Sequence, residues 1–226
     1  FSNTYKQSSV ISTHVRHNAK VFIMKKLLGI VVLGLLLSLN AKADNISDFQ
    51  IEGISIGDSL LKYYSKKDIK RSIEKKQGYK DKSFVRGLIC DTQNRGSFCN
   101  VKADLETYDA IQFHFKKKDS DYVLFMLSGI LDFPNKIEDC KLEKSNTVNE
   151  LTELFPAAKR KEAKNPHPQD KTKKSIVYSS YFFLNDGGAS RIQCYDWSKK
   201  TGRTDHLKIT LDHSEYIYWM KNKAWK

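Results

Sequence analysis

The sequence predicts an α+β fold: a twisted antiparallel sheet of hairpins with helices packed on one face. Three observations predict it. Apolar residues alternate with period two in separate short runs such as "YDAIQFHFKKK" (108–118) and "HLKITLD" (206–212). The connections between several runs are turn-sized, as in "KKDSD" (117–121) and "NDGG" (185–188), too short for the crossover helix a parallel pair needs. Helical patterns are few and fall between groups of strands.

In chain order, residues 1–23 hold no Met and no acidic residue and read as an upstream extension outside the fold. Met24 is followed by Lys25, Lys26, the apolar run "LLGIVVLGLLLSL" (27–39) and "NAKAD". A basic start, an apolar core and small residues at Ala41 and Ala43 form the pattern of a secretory signal peptide over 24–43. The apolar run is shorter than the roughly 20 residues that span a bilayer. The expected mature domain is 44–226.

"DFQIEGISI" (48–56) predicts a short extended run. Asp58 is placed as a helix N-cap, with Leu60, Leu61 and Tyr64 on one face, and "SKKD" (65–68) as a second helix start. "SFVRGLIC" and "SFCNVKADL" predict two arms around a cysteine loop. In 108–118, Ile111, Phe113 and Phe115 face one way and Tyr108, Gln112 and His114 the other; His114 with Gln112 reads as a surface polar pair. "YVLFMLSGILDF" (122–133) is apolar on both faces, hence a central strand antiparallel to its predecessor. "SNTVNELTELF" (145–155) reads as a helix capped by Thr147 and Glu150 and stopped by Pro156. Residues 156–174 read as a basic loop, and "SIVYSSYFFLNDGGASRIQCYDW" as a hairpin. Ser214 is placed as cap of a last helix.

Charge is concentrated. The whole chain is +13; residues 1–43 carry six basic and no acidic residues, leaving +7 on 44–226. Residues 58–82 and 156–174 contribute +5 each. The candidate binding residues are Lys159, Arg160, Lys161, Lys164, Lys171, Lys173 and Lys174, joined by Lys62, Lys66 and Lys70. Such runs attract polyanions or simply keep a surface wet. Residues 156–174 hold no aromatic side chain on which bases could stack, so a nucleic acid is not the expected partner.

The four cysteines, Cys90, Cys99, Cys140 and Cys194, are even in number in a chain read as exported. The preferred pairing is Cys90–Cys99 and Cys140–Cys194. No C-x-x-C spacing suggests zinc. Neither a metal nor a cofactor is expected.

"SIGDSLL" (55–61) raises one catalytic possibility. Gly57-Asp58-Ser59-Leu60 resembles the opening block of the GDSL-type serine esterases, which implies Ser59 as nucleophile. That family also carries a D-x-x-H pair and a G-x-N-D block. Here His206 and His213 follow Asp directly, and Asn185-Asp186 reads as a hairpin turn. "GDSL" is therefore read as a helix start, with Ser59 plus His206 or His213 as the alternative. Those two histidines fall on opposite faces if the alternation holds, against a shared metal. Tyr178, Tyr181, Phe182, Phe183, Tyr195 and Trp197 read as sheet core, with an aromatic groove as the alternative.

"DFQIEGISIGDSLLKYYSKKDIK", "YDAIQFHFKKKDSDYVLFMLSGILDF" and the late aromatic hairpin with Cys194 resemble a group of small secreted proteins of marine alphaproteobacteria that have no assigned activity. The resemblance implies an envelope protein and transfers no catalytic residue. The expectation is a periplasmic or secreted, non-catalytic binding domain with an anionic envelope component or a protein as partner. A purely structural envelope component is the other alternative.

Overall fold

The computed structural model describes residues 45–93 and 99–226; the expected signal peptide, 24–43, lies outside them. A tight hairpin opens the fold: β1 (Gln50–Ile51) and β2 (Ile54–Ser55). Glu52 and Gly53 between them both have positive φ, 54° and 71°, the turn that matches strand twist. The Glu52 carboxylate accepts the backbone N–H groups of Glu106, Thr107 and Tyr108 at 2.7, 2.8 and 2.8 Å, tying this hairpin to a distant loop. The stretch expected as one extended run is therefore two short strands folded on each other.

A short 3-10 turn (Leu60–Lys62) follows, capped by Ser59 rather than Asp58. Asp58 instead accepts from the Ser55 N–H and the Tyr63 hydroxyl, and pairs with Lys62. Leu60 is buried but Leu61 is exposed, contrary to the shared face expected for them. Helix α1 (Lys66–Ser72) starts as expected, with the Ser65 hydroxyl accepting from the Asp68 N–H.

The remaining strands are β3 (Phe84–Asp91), β4 (Lys102–Ala103), β5 (Ala110–Lys116), β6 (Leu124–Asp132), β7 (Lys159–Pro166), β8 (Ile176–Phe183), β9 (Ala189–Asp196) and β10 (His206–Asp212). They form one eight-stranded sheet in the order β4-β3-β5-β6-β10-β9-β8-β7. All neighbours are antiparallel except β3 and β4, so the second cysteine-loop arm returns parallel to the first.

Helix α2 spans Ile137–Leu154, eight residues earlier than expected at its start. Thr147 is not a cap but an interior residue whose hydroxyl donates to the Glu143 carbonyl at 3.0 Å. Pro156 follows the helix, as expected. Helix α3 (Ser214–Asn222) is capped by His213, whose ring accepts from the Glu215 N–H at 3.2 Å, rather than by Ser214.

One sheet face carries the main core, including Ile89, Ile111, Phe113, Leu127, Phe182, Ile192, Leu207 and Ile209. The β1–β2 hairpin, α1 and α2 cover it, and the Cys140–Cys194 bridge pins α2 to β9. Gly129 permits this packing, for a Cβ there would sit 2.3 Å from the Tyr108 ring. The second bridge is Cys90–Cys99; both match the expected pairing. Helix α3 lies across one corner of the other face, where Tyr216 and Trp219 join Tyr79, Phe84 and Met126.

Two bridges and no free cysteine indicate an oxidising, extracytoplasmic environment. Among the described residues no helix is long and apolar enough to cross a membrane.

Candidate functional site

The three residues of the catalytic alternative have separate local roles. The Ser59 hydroxyl donates to the Asp121 carbonyl at 2.5 Å and accepts the Leu61 N–H at 3.2 Å. His206 pairs with Asp132 at one end of β6, while Ser59 bridges Val123 at the other, about 30 Å along the strand. His213 uses Nδ1 to cap α3 and sets its ring edge-on to Phe125.

The basic stretch 156–174 is not a loop. Residues 159–166 form β7, the edge strand paired with β8. Alternation divides its cations. Lys159 and Lys161 lie in register with Phe183 and Tyr181, Arg160 and Lys164 with Phe182 and Tyr178 on the other face. The Arg160 guanidinium sits over Phe182, and the Lys164 and Lys141 ammonium groups over Tyr178. Lys171, Lys173 and Lys174 occupy the turn beyond β7 and are exposed. The sheet therefore does not gather the seven predicted residues at one point.

The register does assemble another site, on the face opposite the main core. Gln112, Ser128, Thr210, Arg191, Tyr181 and Lys161 form one cross-strand row over β5, β6, β10, β9, β8 and β7. Lys208 and Gln193 lie in the next row, His206 and Tyr195 in the one after. Gln112, Lys208, Arg191, Tyr181, Tyr195 and His206 remain half-buried, so water reaches this face beyond the corner closed by α3. Tyr181 and Phe183 stack in parallel, as do Tyr195 and His206. The late aromatics thus divide between the two faces.

One cation of this face stands outside its ion pairs. Arg191 grips Asp212 in a bidentate pair, Nε to Oδ2 at 2.6 Å and Nη2 to Oδ1 at 2.9 Å. Arg86 pairs with Glu74. Lys208, among the described residues, meets no carboxylate: its ammonium donates to Gln112 Oε1 at 2.5 Å. Burial first, then Arg191 and Arg86, push that ammonium down to about 7 against the smaller opposing pull of Asp212 and Glu74. Burial, helped by Lys208, His167 and Arg203, brings His206 down to about 4 despite its hydrogen bond to the Thr204 carbonyl.

His114 corrects the surface reading. It is 1 % exposed. Its Nε2 lies 3.2 Å from the Tyr79 hydroxyl and 3.3 Å from that of Tyr216, and Nδ1 has no hydrogen-bond partner among the described residues. Burial, then Lys208, Arg86 and Arg191, hold it neutral. A separate open cleft of about 630 Å³, lined by Lys82, Lys116, Lys117, Lys118, Lys223 and Trp219 among others, lies beside α3.

Among the described residues no group of three or more His, Cys, Asp or Glu could hold a metal ion. What the polar face can do is take a negative charge beside Lys208 while tyrosine rings and amides contact the rest of the ligand. Sequence reasoning missed this face, although polar residues recur with period two in "AIQFHFK", "SRIQCYD" and "HLKITLD". Comparison with protein-family models, curated proteins and solved structures finds no match.

Proposed function

We propose that this chain is an exported, non-catalytic binding domain that takes an anionic ligand on the polar face of its sheet. The observation that carries the reading is Lys208: a half-buried ammonium in no ion pair among the described residues, beside two arginines that each have one. An anion there supplies the missing partner and removes the cost of holding the charge. The signal-peptide pattern at 24–43 and the two bridges support export to the periplasm or beyond. Membership of the secreted alphaproteobacterial group is part of the same proposal.

The test is an NMR titration of the Lys208 ammonium in the disulfide-bonded protein, with and without sulfate or succinate. Binding should raise the pKa of Lys208. Lys208→Met should weaken binding about tenfold or more, the worth of a charge-assisted hydrogen bond. An unmoved Lys208 with both anions would overturn the reading.

A further inference from the structure

The pairing of β7 fixes which of its backbone groups face outward. The His167 N–H donates to the Ser175 carbonyl at 2.8 Å, one step beyond the strand and in the same register. In an antiparallel ladder, residues that exchange hydrogen bonds alternate with residues that do not. Asn165, Ala163, Lys161 and Lys159 therefore bond inward to β8. Arg160, Glu162 and Lys164 point both N–H and C=O away from the sheet; Pro166 offers only a carbonyl. The β8–β9 turn agrees: Leu184 donates to Gly188 at 2.9 Å, which assigns the even residues of β8 to β9 and the odd ones to β7. Every residue of β7 except Ala163 is exposed.

We propose that this edge is a docking site for an extended acidic segment of a protein partner, added as a ninth strand against Arg160, Glu162 and Lys164. Charge selects the occupant. Four of the eight residues of β7 are cations and one is acidic. A second copy paired antiparallel would bring together two strands that each carry four cations and one carboxylate. Centred on Glu162 it would set Glu162 against Glu162 and Arg160 against Lys164, all like-charged pairs, and only a two-residue shift would set Glu162 against Arg160 or Lys164. The same charges that deter self-association favour a strand with carboxylates opposite Arg160 and Lys164. This inference rests on the backbone register of β7 and stands apart from the Lys208 site.

The test is amide hydrogen exchange on the full, oxidised chain with the synthetic peptide VDVTVDV, and with VKVTVKV as its charge-reversed counterpart. The acidic peptide should slow exchange at Arg160, Glu162 and Lys164; the basic one should not. Two variants separate strand addition from simple charge attraction. Glu162→Ala removes a carboxylate that the Lys144 ammonium and the Ser180 hydroxyl engage at 3.2 and 2.7 Å. It leaves Lys144 as a further unpaired cation beside the edge and should tighten binding about two- to fivefold. Glu162→Pro removes the same charge together with the outward N–H, at an edge position that tolerates proline, and should weaken binding about tenfold. Equal binding by the two variants, or binding without protection of these amides, overturns strand addition; the latter includes collection in the lysine cleft beside α3. If Glu162→Pro does not fold, the protection pattern and Glu162→Ala decide alone. A concentration-dependent dimer that protects these amides overturns the assignment of the occupant.

Discussion

Replacing Lys208 by methionine should stabilise the protein, the opposite of what most substitutions in a sheet do. The ammonium is brought from its ordinary 10.5 down to about 7, chiefly by burial. At about 1.4 kcal/mol per pH unit, the ceiling on the cost of keeping it charged is about 5 kcal/mol. The side chain is only half-buried, so solvent screening reduces that figure. Losing the hydrogen bond to Gln112 offsets roughly another 1 kcal/mol. A net gain of about 1–3 kcal/mol near neutral pH remains. The sign of the pH dependence follows from linkage. Between about 7 and 10.5 the unfolded chain holds a proton that the folded chain has given up. Wild-type stability therefore recovers as pH rises across that window, while Lys208→Met has no such group. The gap between the two proteins should be widest at and below neutral pH and should close toward pH 10. Urea unfolding of both proteins, bridges intact, at about pH 7 and about pH 9.5 measures it, because groups that do not interact with Lys208 cancel in the difference and the two histidines it lowers, His114 and His206, lose their protons below this window. A variant less stable than wild type at neutral pH, or a gap that does not narrow, would refute an ammonium held at a cost in this sheet.

Three further outcomes are expected. Replacing Cys140 and Cys194 by alanine opens a bridge of sequence separation 54 and should lower stability by about 4 kcal/mol in the chain-entropy treatment, against about 2.7 for Cys90–Cys99 with separation 9. A reversed order in urea midpoints would count against that assignment. His114 and His206 are both held below 6.5 mainly by burial, so the unfolded chain takes up their protons first and stability should fall as pH drops below 6.5, for His206 down to about 4. His114→Gln should make this acid limb shallower; an unchanged slope between pH 7 and pH 5 would show that His114 takes up its proton when folded. Ser59→Ala removes a cap and should cost about 1 kcal/mol, and a fluorophosphonate probe should label neither protein. Labelling of the wild type alone would restore Ser59 as a nucleophile.

The parts of this fold legible in the sequence are those whose two faces differ. "HLKITLD" and "YDAIQFHFKKK" sit as strands with Leu207, Ile209, Ile111 and Phe113 in the core because period-two patterning states which side is buried. β7 escaped for the converse reason. "KRKEAKNP" is wet on both sides, and what holds it is backbone pairing to β8 and cations laid over Phe182 and Tyr178. No apolar period announces a strand of that kind. The first turns of α2 carry Leu142 outward, 65 % exposed, so their helical period is blurred; the bridge from Cys140 to Cys194 anchors them.

The candidate site shows how far alternation reaches. It placed His114 and Gln112 on the face away from Phe113 correctly, but not Tyr108, which precedes β5 and packs in the main core against Gly129. What covers that face is decided about a hundred residues later, where α3 lays Tyr216 over His114 and leaves Gln112 to Lys208. One face thus has two fates, dry beneath α3 and wet beyond it. The half-buried strip at their border is where an ammonium loses much of its hydration yet a ligand can still reach it. Lys208 lies on that strip only because β10 inserts between β6 and β9, pairing Lys208 with Ile130 on one side and Gln193 on the other. The residue types were in view from the start. The chemistry belongs to the strand order, which joins segments that no short motif links.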